Sequence, residues 1–378
     1  MKYPIGIQDF EDLQRNGYAY VDKTNFVYKL ADEGKYYFLS RPRRFGKSLF
    51  LSTLEAYFQG KKELFEGLAI YDLETEWKKY PIFHIDLNTA NFREKDSLYT
   101  VLNDYLTTWE CKYGTRESEA TLALRFKGVI ARAAEKEGCG VVILIDEYDK
   151  PILQTLRDPE LQAEHRAQLK AFYSVLKTQD RYIKFAFLTG VTKFGKVSVF
   201  SDLNNLTDIS MDHRYISICG MTEKELLTNF KEGIGELASA NEDNETETID
   251  KLRMRYSGYH FEENSEEIYN PFSVLNTLAN SRYDDYWFKA DTHTFLIDIL
   301  KKHDYCITDL NKAQVKANMM NNVDFNPIPV IYQSGYLTIK SYDERFKNYQ
   351  LGIPNKEVEE GILNTLLPHG CKTAEMDC

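Results

Sequence analysis

The sequence lacks several features that would place it in other protein classes. Its six cysteines show no C-x-x-C or Cys/His spacing, so we expect neither a zinc site nor a disulfide framework, and a reducing cytoplasm fits best. No run approaches the roughly 18 apolar residues that span a bilayer, and the opening MKYPIGIQDF lacks the apolar core of a signal peptide. We therefore expect a soluble protein that does not contact a membrane.

Positive charge is also scarce. The 47 lysines and arginines stand against 58 acidic residues, and the net charge of −11 argues against a general nucleic-acid coat protein. Around position 340, three basic residues share one short turn with two acidic ones, namely Lys340, Arg345, Lys347, Asp343 and Glu344. We expect weak binding of nucleic acid, and the sequence leaves open a protein partner or a homo-oligomer.

The length and the apolar pattern predict an α/β protein with more than one domain. A chain of 378 residues exceeds the size at which single cores stop growing. In the first half, short apolar runs alternate with amphipathic stretches, which predicts a parallel central sheet flanked by helices. The predicted strands are Tyr36 to Ser40, Pro81 to Leu87, Val141 to Asp146, Lys184 to Val191 and Arg214 to Cys219.

The pattern changes from Thr222 onward. MTEKELLTNF and ETETIDKLRMRYSGY predict helices, and the acidic stretch around ASANEDNETE between them predicts a loop. The run IPVIYQSGYLTIKSYDERFKNYQLGIP predicts two β-strands around a polar turn. We therefore expect a core at 1–220, a smaller helical domain with a β wing at 221–360, and a tail at 361–378.

The stretch RPRRFGKS, residues 41–48, ends like a phosphate-binding loop and is called the P-loop below. A full G-x-x-x-x-G-K-[ST] motif would have glycine where Arg41 stands. The apolar run before it and the amphipathic run after it still give the order strand, loop, helix. In that order, amides at the helix start attract phosphate, Lys47 reaches the β- and γ-phosphates, and Ser48 ligates Mg²⁺.

The run VVILIDEYDK, residues 141–150, supports a nucleotide site. Its apolar residues predict a buried strand that delivers Asp146 to the sheet edge where phosphate sites form. Asp146 would hold Mg²⁺ through water, and Glu147 is the residue type that orients the attacking water in P-loop ATPases with an extra strand. The alternative is that both carboxylates only end the strand at the solvent edge.

A further apolar strand, KFAFLTGVTKFGKVSVF, ends in polar residues. Either Thr189 or Thr192 could sense the γ-phosphate, although threonine also favours strands for its shape alone. Lys193 and Lys196 could lie near the phosphates or in solvent. The predicted catalytic residues are Lys47, Glu147 and Thr189.

Three arginines lie within the P-loop, at positions 41, 43 and 44. Because they precede the helix N-terminus, we expect contact with phosphate or with a partner's carboxylate. The predicted nucleotide-binding residues are Arg43, Arg44, Phe45, Gly46, Lys47, Ser48 and Leu49, and the predicted metal ligands are Ser48 and Asp146.

The motifs together resemble those of the bacterial AAA-ATPase-like family. The resemblance includes YAYVDKT (18–24), FLTGVTKFGKVSVFSDLNNLTDIS (187–210) and YSGYHF…YNPFSVLN (256–276), and it covers nearly the whole chain. It implies that RPRRFGKS is the family's own version of the loop. By resemblance, the ligands are ATP and Mg²⁺, Lys47 and Ser48 take the Walker A roles, Asp146 and Glu147 take the Walker B roles, and 256–276 belongs to a winged-helix-like region.

Members of that family often carry a PD-(D/E)XK nuclease-like domain after this region. We find no D…E-x-K motif in a strand context after residue 222, and the chain ends with HGCKTAEMDC soon after LGIPNKEVEEGILNTLLP, which resembles the junction. We therefore do not expect nuclease activity.

Three functions stay open on the sequence. The first is a Mg-dependent ATPase or an ATP-gated switch, the second is a non-hydrolysing nucleotide-binding scaffold, and the third is a nucleic-acid-associated adaptor that uses the winged-helix-like region. A GTPase is disfavoured because the sequence has no N-K-x-D motif, and NKEV at 355–358 has valine where aspartate is needed.

Overall fold

Five parallel strands form the central sheet. The structure is a computed structural model and describes residues 1–193, 205–290, 296, 310–320 and 327–366. The spatial order is β2-β3-β4-β1-β5, so β4 lies between β1, which precedes the P-loop, and β3. The strands are β1 Tyr36–Ser40, β2 Ile82–Asp86, β3 Val141–Asp146, β4 Ile183–Gly190 and β5 Thr207–Asp208.

Helices cover both faces of this sheet, as a parallel sheet requires. Along β1, Tyr37 and Leu39 pack into one hydrophobic cluster with α3, and Tyr36 and Phe38 pack into another with α5, α6 and α8. This explains why the strands are apolar at successive positions. The helices are α1 Phe10–Arg15, α2 Thr24–Glu33, α3 Lys47–Phe58, α4 Ala69–Leu73, α5 Ser97–Tyr113, α6 Leu122–Glu137, α7 Lys150–Gln154 and α8 Pro159–Thr178.

The α/β fold and four of the five predicted strands are confirmed, with ends that differ by one residue at most. The prediction of a strand at Arg214 to Cys219 is wrong. That segment forms the 3-10 helix His213–Ile218, whose start is capped by the Asp212 side chain. Its carbonyl groups at Tyr215 and Ile216 accept hydrogen bonds from Arg41 instead of pairing with a strand.

A second, helical part with a small sheet follows the central sheet, and we call its described residues from 221 onward the helical part. Capping boxes at Thr222 and Asn244 start two of its helices, so the expected loop near 240 is confined to a few residues. A three-stranded antiparallel sheet in the order β6-β8-β7 contains the expected β hairpin. The elements are α9 Glu223–Asn229, α10 Lys231–Ala240, α11 Glu245–Tyr256, α12 Pro271–Asn280, α13 Tyr286–Lys289, β6 Gln314–Lys316, α14 Pro327–Gln333, β7 Thr338–Asp343, β8 Asn348–Gly352 and α15 Lys356–Leu366.

Across the parts of the chain that the structure describes, none of the helices has the length and apolar character needed to cross a membrane.

Candidate nucleotide site

The P-loop connects the end of β1 to the start of α3. Two of its residues have left-handed backbone conformations, Arg44 with φ 65° and Gly46 with φ 93°. At Gly46 this backbone angle favours glycine, whereas space does not, because an added Cβ would meet no atom within 4 Å. Among the described residues, no side chain caps the start of α3, so the amides of its first turn remain suited to an anion.

Lys47 is buried at the first position of α3. Its ammonium lies 3.2 Å from Oε1 of Glu147 and donates a hydrogen bond of 3.3 Å to the carbonyl of Pro42. The structure therefore brings together the lysine and the glutamate that the sequence predicted as site residues. Both partners of Lys47 are acceptors that a phosphate group could replace.

Asp146 ends β3 beside the first turn of α3. The residue is 3% exposed, and the Ser48 side chain is among the groups that act on its carboxylate. Burial, followed by the charge of the adjacent Glu147, raises the pKa of Asp146 to about 6, while Ser48 and Lys47 act in the opposite direction. A hydroxyl and a carboxylate fit Mg²⁺, which usually takes few protein oxygens and completes its shell with water and phosphate.

Glu147 has an unusual backbone conformation, with φ 50°. Its amide donates a 2.9 Å hydrogen bond to the carboxylate of Asp146, the residue immediately before it. Backbone strain of this kind, in a non-glycine residue, costs on the order of 1–3 kcal/mol and is concentrated at functional sites. The strained turn places the two carboxylates at the same sheet edge.

Thr189 lies near the end of β4 on the face that α3 covers. Leu144 pairs with Phe187, so Asp146 and Thr189, two residues further along each strand, are on the same face. The hydroxyl of Thr189 is buried and has no hydrogen-bond partner among the described residues. An unpaired buried hydroxyl is costly, which makes this group suited to a ligand.

Thr192, the other candidate sensor, is already engaged. Its hydroxyl donates a 2.7 Å hydrogen bond to Asp149, and its amide donates a 2.6 Å bond to the same carboxylate oxygen. Among the sequence-predicted lysines nearby, Lys193 forms an ion pair with Asp208, and Lys196 lies outside the described residues.

Asp149 was missed by the sequence analysis. It is fully buried and also accepts the amide of Val191 at 3.1 Å, so it joins the turn after β3 to the end of β4. A Cβ at Gly190 would lie only 2.4 Å from its carboxylate, which explains the glycine. Burial, followed by the charge of Glu147, raises the pKa of Asp149 to about 6. The signal in the sequence was a third acidic residue three positions after Asp146.

Tyr148 also joins the turn after β3 to the end of β4. Its amide donates to the carbonyl of Thr189 at 3.1 Å, and its hydroxyl donates to the carbonyl of Thr192 at 2.8 Å. The segment that carries Glu147 is therefore fixed to the strand that carries Thr189.

Comparisons with known proteins identify the family of the chain. A family model described as "Predicted AAA-ATPase" matches residues 4–200. The chain belongs to this AAA-ATPase-like family. An uncharacterized protein in the vnfD 5' region of Azotobacter chroococcum mcd 1 is 38% identical over 372 residues, which cover 97% of this chain and 70% of the relative. Family membership supports a nucleotide-binding, ATPase-like protein.

Arg41 has a structural position in this AAA-ATPase-like chain, instead of the contact with phosphate or with a partner's carboxylate that we expected. Its side chain is 1% exposed, and its guanidinium donates to the carbonyls of Ser40 and Ser210 at 2.9 and 2.7 Å. It also lies 4.0 Å from the ring centre of Phe261. Burial lowers the pKa of Arg41 to about 10. The residue that replaces the first glycine of the motif therefore joins the end of β1 and the segment near Ser210 to Phe261 of the helical part.

The other predicted nucleotide-binding residues of the P-loop differ in where their side chains lie. Arg43 is exposed, and Leu49 packs on the hydrophobic cluster of α3. The Arg44 guanidinium lies 4.3 Å from the ring centre of Phe272 in the helical part. Phe45 is buried against the helical part as well, with its ring centre 4.9 Å from that of Tyr259. The side chains of Arg44 and Phe45 therefore lie against the helical part.

Proposed function

We propose that the protein binds Mg-ATP through the P-loop and hydrolyses it, acting as an ATPase or as an ATP-gated switch. The observation that carries the proposal is the meeting of Lys47, Ser48, Asp146, Glu147 and Thr189 at one edge of the sheet. They lie at the ends of two neighbouring strands, β3 and β4, and in the first turn of α3, the helix that follows β1. Parallel sheets form their ligand sites at this edge.

Each residue has a role that follows from its contacts. Lys47 exchanges its present partners, Glu147 and the Pro42 carbonyl, for the β- and γ-phosphates. Glu147, once released, orients the attacking water, and Thr189 donates its open hydroxyl toward the γ-phosphate. Ser48 and Asp146 would hold Mg²⁺, which neutralises charge that develops on the phosphates.

The main alternative is a nucleotide-binding scaffold that does not hydrolyse ATP. The ion pair between Lys47 and Glu147 favours it, since a glutamate that stays on the lysine cannot orient water. A nucleic-acid adaptor has less support. In the β7–β8 turn, the carboxylate of Asp343 accepts the amides of Arg345 and Phe346, so acidic charge lies within the hairpin tip itself.

Nucleotide-dependent melting tests the proposal. Saturating ATP with Mg²⁺ should raise the melting temperature by several degrees, because ligand at 100 times Kd stabilises the native state by about 2.7 kcal/mol. ADP should give a smaller shift, and GTP with or without Mg²⁺ serves as a specificity control. Lys47→Ala should fold but lose the ATP shift, whereas Lys127→Ala, at an exposed position of α6, should keep it. An equal shift in both variants would reject the P-loop as the site.

A further inference from the structure

The P-loop is held from outside by the helical part. The indole Nε1 of Trp287, in α13, donates a 3.1 Å hydrogen bond to the carbonyl of Arg43. Trp287 is 4% exposed, and its own amide donates to Oε1 of Glu357 at 2.8 Å. The position of the Trp287 ring is therefore fixed by contacts within the helical part, independently of its bond to the P-loop.

The turn after α14 packs on the same spot. Gly335 has φ 91°, and a Cβ at this residue would lie 2.8 Å from the Cβ of Pro42 and 3.5 Å from the Trp287 ring. The ring centre of Tyr336 lies 5.5 Å from that of Trp287. Pro42 is thus enclosed by residues from two separate segments of the helical part.

A second donor fixes the loop two residues further on. The amide of Gly220, the residue immediately before the helical part, donates a 2.9 Å hydrogen bond to the carbonyl of Phe45. In a trans peptide the carbonyl and the following N–H point in opposite directions. Trp287 therefore sets the direction of the Arg44 amide, and Gly220 sets that of the Gly46 amide. Both amides belong to the left-handed residues of the P-loop, where a phosphate would be bound.

We propose that Trp287 is a positioning residue of the nucleotide site, and that its indole makes ATP affinity depend on the packing of the helical part against the P-loop. This inference rests on the proposed function. Because coupling between two sites is reciprocal, bound ATP must in turn stabilise that packing. The helical part would then respond to the nucleotide through Trp287 and the turn at Gly335, which leads directly into β7.

The test compares two tryptophans that each donate to a backbone carbonyl. Trp287→Phe removes the bond to Arg43, and Trp77→Phe removes a 3.0 Å bond to Glu74 away from the P-loop. We expect Trp287→Phe to weaken ATP binding about fivefold to tenfold, the effect of one hydrogen bond, and Trp77→Phe to leave it within about twofold. ATP should also change the tryptophan emission of the wild type and of Trp77→Phe but not that of Trp287→Phe.

Two measurements distinguish failure of this inference from failure of the proposed function. If the wild type binds ATP and Trp287→Phe binds it equally well, the inference is overturned and the proposed function stands. If the wild type does not bind ATP, both are overturned. Should Trp287→Phe fail to fold, amide hydrogen exchange of the wild type decides: Mg-ATP should slow exchange at 286–289 and 334–336 as well as in the P-loop. Slowing confined to the P-loop would contradict the coupling.

Discussion

The ammonium of Lys47 lies 3.2 Å from the carboxylate of Glu147. Binding of ATP through Lys47 must separate this pair, so Glu147 competes with the phosphates for the ammonium of Lys47. Glu147→Gln removes the competing charge and preserves the size of the side chain. We expect this variant to bind Mg-ATP as tightly as the wild type or a few-fold more tightly, as measured by titration calorimetry. Weaker binding would show that Glu147 itself holds the nucleotide.

Asp146→Asn should act on the metal and leave the phosphate contacts of Lys47 unchanged. The asparagine keeps the size of the side chain but removes a negative charge next to Ser48, so the advantage that Mg²⁺ gives to ATP binding should fall. The measurement compares ATP affinity with Mg²⁺ and with a chelator. Equal Mg²⁺ dependence in the variant and the wild type would exclude Asp146 as a metal ligand.

Thr189 and Thr192 provide a matched pair of substitutions by the isosteric valine. Thr189→Val removes a hydroxyl without a partner among the described residues, so stability should hold or rise while turnover falls at least about tenfold. Thr192→Val removes a bond to the buried Asp149 and should cost about 1–3 kcal/mol of unfolding free energy. Chemical denaturation and steady-state turnover of both variants check this contrast. Loss of stability in Thr189→Val would indicate a structural hydroxyl.

Glu357 should make stability depend on pH. Burial raises its pKa to about 8, with Asp285 acting in the same direction, while Trp287, Ser273 and Arg255 act in the opposite direction. The folded state therefore keeps a proton that the unfolded state loses near its ordinary pKa of 4.5. The unfolded state binds fewer protons across this window, so the contribution to stability falls as pH rises from about 4.5 to about 8.

Glu357→Gln should remove that decline. The glutamine can accept the Trp287 amide and donate to the Ser273 hydroxyl, as a protonated glutamate does. Melting temperatures at pH 5, 6.5 and 8 should fall less for the variant than for the wild type. Parallel curves would mean that Glu357 is ionised in the folded protein across this range.

The sequence predicts the position of a site residue where that position depends only on neighbouring residues in the chain. Lys47 and Ser48 follow a strand and open a helix, and Asp146 and Glu147 end a buried strand, so their placement follows from local pattern alone. Arg41 could not be placed in this way. Its acceptor Ser210 is 169 positions away, and only tertiary packing shows that its guanidinium faces backbone carbonyls and not phosphate.

The same limit applies to Asp149 and to the segment 214–219. In the sequence, Asp149 is one more acidic residue after a strand. Only the pairing of β4 with its neighbouring strands identifies Thr192 as its partner. The apolar residues of 214–219 suit a strand. The carbonyl groups of Tyr215 and Ile216 nevertheless accept hydrogen bonds from Arg41, which no local pattern reveals.

Phosphate release under single-turnover conditions tests the central claim most directly, with enzyme in excess of Mg-ATP and nucleotide affinity measured in parallel. We predict release well above the buffer rate for the wild type, and a loss of about 100-fold or more in Glu147→Gln with ATP affinity preserved. Wild-type release at the buffer rate, despite tight ATP binding, would contradict hydrolysis by this chain and favour the scaffold. Equal release by an active wild type and Glu147→Gln would contradict the role of Glu147.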